Sequence, residues 1–104
     1  MTLAPAAAAP PVPLAATLLL LRDTASGFEV LMITRHAETA FAGGAAVFPG
    51  GRLDPDDSAP ALLQRRCPVS GIAAAQMALR VCAIRETFEE AGLLLARCSG
   101  DDRL

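Results

Sequence analysis

The chain has 104 residues, a formal net charge of −2 at pH 7 and 53% apolar residues. This length allows one domain, and the apolar content is enough for a folded core. The nine basic residues are all arginines, and they form no run longer than one pair and no alternation with aromatic residues, which argues against a nucleic-acid-binding protein.

The first half of the chain predicts a leader followed by short strands. Residues 1–13 are rich in Ala and Pro and are expected to be disordered. Residues 14–21 are too short for a transmembrane helix and lack the basic flank of a signal peptide, so they predict a buried strand. Residues 28–34 predict a second strand, and the turn composition of 23–27 makes the pair a hairpin. Residues 45–48 predict a third strand.

The second half of the chain predicts a loop, one long helix and the start of a further strand. Residues 53–69 are interpreted as a loop with one short helical turn. The helix is expected over about 71–91, with Ser70 as its N-cap and Gly92 at its C-terminal end. Residues 93–96 predict the next strand. Strands followed by a helix and another strand favour an α/β fold.

The predicted helix has one apolar face and one acidic face. Glu86, Glu89 and Glu90 have the spacing i, i+3 and i+4, which collects carboxylates on one side of a helix. Such a face is found on ordinary amphipathic surface helices, and it also suits one or two divalent cations. At about 100° per residue, the opposite face is an apolar stripe that we expect to be buried. Its members are Met77, Val81, Ile84, Phe88 and Ala91.

A rigid turn upstream adds to this pattern. Residues 48–51, Phe-Pro-Gly-Gly, close an apolar run with two residues that allow close backbone approach. The turn and the helix together resemble the two halves of the Nudix hydrolase signature, Gly-x5-Glu-x7-Arg-Glu-U-x-Glu-Glu-x-Gly-U, where U is a bulky apolar residue. The second half departs from it only at Thr87. The residues that match are Arg85, Glu86, Glu89, Glu90, Gly92 and Leu93.

The signature is split by an insertion. Gly51 and Arg85 are separated by thirty-three residues where the family pattern has thirteen, so about twenty have been inserted. Counting forward from Gly51 places Asp57 at the position of the first glutamate, and counting back from Arg85 places Met77 there. Asp57 and Asp54 are both candidates to replace that glutamate. An insertion at this point resembles the coenzyme A diphosphatase branch of the family.

A second segment resembles the motif that precedes the signature in coenzyme A-directed Nudix enzymes. The resemblance implies that Arg35, Gly50 and Gly51 bind the substrate. His36 and Ala40 replace a serine and an arginine of that motif, and the lost arginine removes a bidentate phosphate donor. The residues that match at the right spacing are Leu31, Arg35, Gly44, Phe48, Pro49, Gly50, Gly51 and Asp54.

The resemblance also implies a fold. Nudix domains are α/β/α sandwiches in which a mixed sheet lies between helices, and they continue well beyond the signature. This chain extends eleven residues past Leu93. Residues 14–104 are therefore interpreted as the N-terminal portion of a Nudix domain with an insertion at about 55–72.

The resemblance further implies metal-dependent hydrolysis of a small diphosphate substrate, with coenzyme A (CoA) or acyl-CoA as the leading candidate. Glu86, Glu89, Glu90 and the Gly51 carbonyl would bind Mg²⁺, with Mn²⁺ as the alternative ion. Arg85 would orient the glutamates, and its i, i+4 relation to Glu89 makes that contact easy to form. Glu86, Arg85 and Glu89 are thus the candidate catalytic residues. The general base would be Glu86 or a residue outside this chain.

A second interpretation is a catalytically silent Nudix-like module that binds a nucleotide or a protein. The retained acidic cluster favours the enzyme, and the missing first glutamate favours the module. Three separated cysteines, Cys67, Cys82 and Cys98, argue against a zinc site and a disulfide framework. The composition suits a cytoplasmic protein without a membrane partner, and it indicates no oligomeric state.

Overall fold

Short strands precede one long helix in the part of the chain that the structure, a computed structural model, describes: residues 11–35, 44–59 and 71–97. The predicted leader lies mostly outside these residues, as do His36 and Ala40. The elements are β1 (Ala15–Thr17), β2 (Leu21–Thr24), β3 (Gly27–Val30), β4 (Ile33–Thr34), β5 (Ala46–Val47), β6 (Gly50–Arg52), a 3-10 turn (Pro55–Ser58) and α1 (Ala74–Ala91).

The strands form three antiparallel pairs, β1 with β6, β2 with β3 and β4 with β5. The β2–β3 pair is the predicted hairpin. The prediction of one strand over 14–21 was wrong, because the chain changes partner between β1 and β2. The predicted strand over 28–34 is divided in the same way into β3 and β4. Short antiparallel strand pairs together with one long helix agree with the predicted α/β class.

The turn predicted over 48–51 is a bend at Pro49 alone, and Gly50 and Gly51 lie in β6, paired with β1. The register of this pair places Ala16 opposite Gly51, and backbone bonds from Leu18 N to Pro49 O at 2.8 Å and from Leu53 N to Leu14 O at 2.9 Å extend it on both sides. Helix α1 packs on this pair and on the 3-10 turn. Gly50 and Gly51 therefore lie between β1 on one side and the helix on the other.

Helix α1 ends where the sequence predicts and begins later. Its N-cap is Ala73, which has extended backbone angles and no side-chain capping bond, whereas the predicted cap, Ser70, lies outside the described residues. At the other end Gly92 adopts the left-handed conformation, with φ 73°, and its N–H donates to Phe88 O at 2.9 Å. Residues 93–97 follow without forming the predicted strand.

The buried face of α1 differs from the predicted stripe. Met77 is buried as expected, but Phe88 is 52% exposed, and Val81 and Ile84 are only partly buried. Most of the buried residues of α1 are small instead, and small side chains allow a helix to pack closely on a strand. The larger apolar side chains line an open cavity of about 600 Å³ on another side of the helix. The buried residues of α1 are Met77, Ala78, Cys82, Ala83 and Thr87.

Within the described ranges, no helix is long and apolar enough to cross a membrane.

Replacing Gly92 tests the end of the helix. A Cβ at this position would meet no atom within 4 Å, so the cost of Gly92→Ala comes from the backbone conformation alone. We expect this change to lower the free energy of unfolding by about 1 kcal/mol, measured by urea denaturation. Gly92→Asn is the control and should cost less, because Asn adopts the left-handed conformation more readily. Equal stability of the alanine variant and the unchanged protein would contradict this account.

Candidate active site

Three residues of α1 at successive turns stand over β6. The Cys82 thiol lies 3.3 Å from Arg52 O and 3.5 Å from Gly51 O. One turn later, the Glu86 carboxylate lies directly against Gly51, where a Cβ would come within 2.4 Å of its Cδ. One turn later again, Glu90 Oε1 accepts a hydrogen bond from Gly50 N at 3.2 Å. The spacing i, i+4 and i+8 thus places Glu86 and Glu90 at the two glycines of β6.

The Cys82 side chain is fully buried. Burial raises the pKa of its thiol above the ordinary value, so the sulfur keeps its proton and can donate to the carbonyls of β6. It therefore packs between helix and strand as a weak hydrogen-bond donor.

Arg85 joins the helix to the turn and to the other acidic residues. Its Nε donates to Asp57 Oδ1 at 2.8 Å and its Nη2 to Asp57 Oδ2 at 3.0 Å, a bidentate pair. Its Nη1 donates to Glu86 and to Glu89, each at 3.1 Å, and its Nη2 also reaches Arg52 O at 3.1 Å. Arg85 thus makes the contact to Glu89 that the spacing predicts, together with one to Glu86.

Asp57, rather than Asp54, is the carboxylate that meets Arg85. It is 1% exposed, and its second contact is with the Asp54 N–H, which donates to Asp57 Oδ2 at 2.8 Å. Asp54 caps the 3-10 turn by accepting from Asp56 N at 2.9 Å. Hydrogen bonding from Arg85 holds the pKa of the Asp57 carboxyl below its ordinary value, although burial opposes that shift. Whether Asp57 or Asp54 replaces the first glutamate of the signature stays a prediction.

The pKa of Glu86 shifts in the opposite direction to that of Asp57. Burial raises the pKa of its carboxyl above the ordinary value, the Arg85 guanidinium opposes the shift, and the charges of Glu89 and Glu90 add to it. A second positive charge at this face would relieve the repulsion between these carboxylates. The electrostatics and the oxygen chemistry of the three glutamates thus fit a divalent cation such as Mg²⁺.

The glutamates are not arranged around an ion as they stand. In residues 11–35, 44–59 and 71–97, no three His, Cys, Asp or Glu side chains form a group able to hold a metal. Glu86 and Glu89 each use one oxygen for Arg85, and Glu90 uses one for Gly50 N. Each of these carboxylates has a second oxygen, which is the one that a cation would use. The Gly51 carbonyl, the fourth predicted ligand, lies near the Cys82 thiol, and its role stays a prediction.

A cavity of about 560 Å³ opens beside the acidic face. All three residues predicted to bind substrate, Arg35, Gly50 and Gly51, line it together with Glu90. The backbone of Arg35 is fixed next to β5, since its N–H donates to Ala45 O at 2.9 Å. Sequence reasoning missed Thr17 and Met32, which also line this cavity, because no chemical motif marks them.

Known proteins are similar to this chain in sequence and in fold. A crystal structure of a Nudix hydrolase from Alicyclobacillus acidocaldarius matches with a TM-score of 0.69 and 40% identity, covering 85% of this chain and 40% of that one. The chain belongs to the Nudix hydrolase superfamily. It is also 31% identical to the acyl-coenzyme A diphosphatase NUDT19 of Gallus gallus, over 73% of this chain and 28% of the relative. The NUDT19 of Xenopus laevis is 29% identical, over 71% and 27%.

The chain spans less than a third of the length of these two NUDT19 relatives. No family model matches it. The Nudix fold predicted from the split signature is confirmed by the crystal structure that it resembles. The residues predicted to bind metal and substrate lie near one another, along the acidic face of α1 and the cavity beside it. Their roles stay predictions.

The two glycines of β6, Gly50 and Gly51, are expected to respond differently to substitution. In Gly50→Ala the new Cβ would lie 2.4 Å from Ala16 O and 2.9 Å from Thr17 Cα, both backbone atoms, so we expect a loss of about 2 kcal/mol in unfolding free energy. In Gly51→Ala it would meet the Glu86 carboxylate, which is the far end of a side chain and can shift more easily than backbone, so stability should fall less. Urea denaturation measures both variants. Equal destabilisation by the two changes would count against this assignment.

The Asp57–Arg85 pair is expected to make stability depend on pH. Asp57→Asn removes a buried charged hydrogen bond and should cost about 2 kcal/mol at pH 7. Because the folded-state pKa of Asp57 lies below its ordinary value of 3.8, its contribution is present above that pH and is lost as the pH falls through the folded-state pKa. The difference between the unchanged protein and Asp57→Asn should therefore shrink between pH 5 and pH 3.

Urea denaturation across that range measures the difference. Asp56→Asn is the control, because Asp56 is exposed on the same turn. If the difference in unfolding free energy between the unchanged protein and Asp57→Asn stayed constant down to pH 3, Arg85 would not lower the pKa of Asp57.

Proposed function

We propose that the protein containing this chain is a metal-dependent Nudix pyrophosphohydrolase that cleaves CoA or acyl-CoA. The observation that carries the proposal is the bidentate contact of Arg85 with Asp57, which brings the helix to the turn despite the insertion. As a result, Glu86 lies against Gly51 and Glu90 against Gly50. Asp57, which aligns with the missing first glutamate when residues are counted from Gly51, thus contacts Arg85 of the helix. This contact favours the enzyme over the silent module.

The proposed chemistry follows from the acidic face. Hydrolysis of a diphosphate brings water to a phosphorus that is surrounded by negative oxygens. Glu86, Glu89 and Glu90 would hold a divalent cation, which would supply the positive charge that this step needs. Arg85 keeps Glu86 and Glu89 in place through its Nη1. We assign the removal of the proton from the attacking water to Glu86, the least exposed of the three glutamates.

The substrate proposal has two supports. Two similar proteins are named acyl-coenzyme A diphosphatases. The cavity beside Glu90 offers both an apolar wall, including Met32 and Phe48, and the cationic side chain of Arg35. Such a lining suits a substrate that carries phosphate groups on a partly apolar body. We propose that Arg35 binds a phosphate of the substrate remote from the scissile bond. The cytoplasmic location stays a prediction from the sequence.

A comparison of substrates tests this function. We expect the protein with Mg²⁺ to cleave CoA or acyl-CoA into adenosine 3′,5′-bisphosphate and a 4′-phosphopantetheine, with kcat/KM at least about tenfold above that for ADP-ribose, NADH or diadenosine polyphosphates. Chromatography of the products at equal substrate concentrations measures it. A tenfold preference for ADP-ribose or a dinucleotide would overturn the CoA assignment and leave the diphosphatase proposal intact.

Glu86→Gln is the control for folding in the same assay. Since burial disfavours the ionised form of Glu86, removing its charge should leave the unfolding free energy equal or slightly higher. Turnover should nevertheless fall by orders of magnitude. Unchanged turnover in a stable Glu86→Gln variant would remove Glu86 from the proposed mechanism.

A further inference from the structure

Thr17 of β1 is placed beside β6 by the register of the strand pair. It lies opposite Gly50, and the side chains of directly opposite residues project from the same face of a pair. Since Gly50 has no side chain, the hydroxyl oxygen of Thr17 lies only 3.2 Å from the point where a Cβ of Gly50 would be. The hydroxyl therefore borders the space that a side chain at position 50 would fill.

Polar side chains are few in the cavity of about 560 Å³ beside the acidic face. Among the described residues that line it, only Thr17 has an uncharged hydrogen-bonding side chain, while Arg35 and Glu90 carry charges. Thr17 is exposed, and its hydroxyl makes no hydrogen bond to any other residue that the structure describes. Sites for small molecules are mostly apolar, with a few polar groups that fix the ligand. The Thr17 hydroxyl is thus available to a molecule in this cavity.

The position of Glu90 decides which part of a substrate this hydroxyl can meet. Glu90 Oε1 accepts a hydrogen bond from Gly50 N at 3.2 Å, so the carboxylate and the Thr17 hydroxyl both lie beside Gly50. In the proposed function, Glu90 faces the diphosphate, whereas the remote phosphate is assigned to Arg35. A lysine at position 17 would compete for Glu90 as an ion pair, but a neutral hydroxyl can donate to a phosphate oxygen without doing so.

We propose that the Thr17 hydroxyl donates a hydrogen bond to an oxygen of the substrate's diphosphate group and so fixes that group beside the glutamates. The proposal rests on the proposed function, because it places the diphosphate at the acidic face. It adds a substrate-binding residue on β1, far from the signature in the sequence. CoA, ADP-ribose and NADH all contain a diphosphate, so the contact does not depend on which of them is preferred.

Binding of methylenediphosphonate, a diphosphate analogue that is not hydrolysed, tests this contact in the presence of Mg²⁺. Thr17→Val replaces the hydroxyl with a methyl group, so we expect about tenfold weaker binding than in the unchanged protein, measured by calorimetry. Thr17→Ser keeps the hydroxyl and should bind within about twofold of the unchanged protein. Equal affinity of Thr17→Val and the unchanged protein, equal losses in the two variants, or no binding by the unchanged protein overturns the proposal.

Thr24→Val is the matched control. Thr24 is also an exposed threonine opposite a glycine, Gly27, in an antiparallel pair, but it does not line this cavity. This variant should bind methylenediphosphonate as the unchanged protein does, and a loss equal to that of Thr17→Val overturns the proposal. Urea denaturation checks that each variant is folded. Since binding is measured without turnover, a failure of the substrate comparison would bear on the proposed function alone.

Discussion

The bidentate contact between Arg85 and Asp57 is the interaction on which the site depends. It joins a residue of the 3-10 turn to a residue of α1, at 2.8 and 3.0 Å, across the whole insertion. Because Asp57 is almost completely buried, the pair is poorly screened by solvent and holds the two elements in one geometry. The positions of Glu86 over Gly51 and of Glu90 over Gly50 follow from that docking.

Close approach of α1 to β6 is the second constraint, and it explains why the buried residues of the helix are mostly small. Gly51 has no Cβ, and the Glu86 carboxylate occupies the space where one would be. Ala78, Cys82 and Ala83 are small enough to let α1 lie at this distance. The acidic face is consequently built from short contacts between side chain and backbone, while Val81, Ile84 and Phe88 line the separate cavity of about 600 Å³.

Local patterns in the sequence predicted part of this arrangement. The hairpin, the glycine at the end of α1 and the grouping of the glutamates follow from turn chemistry and helical spacing, which act over a few residues. The pairing of β1 with β6 joins residues far apart in the chain, and no local pattern encodes it. The stripe that includes Phe88 was assigned to the core because helical periodicity shows which residues share a face without showing which face meets the sheet.

The insertion between Asp57 and Arg85 has a consequence for protein engineering. The entropy cost of closing a flexible loop rises only with the logarithm of its length, about 0.6 kcal/mol for each doubling. A connection whose two ends are anchored by a buried ion pair can therefore change in length with little effect on the groups it connects. The segment between the 3-10 turn and α1 is thus a suitable place to graft a reporter peptide or a small domain, since the contact between Asp57 and Arg85 lies outside it.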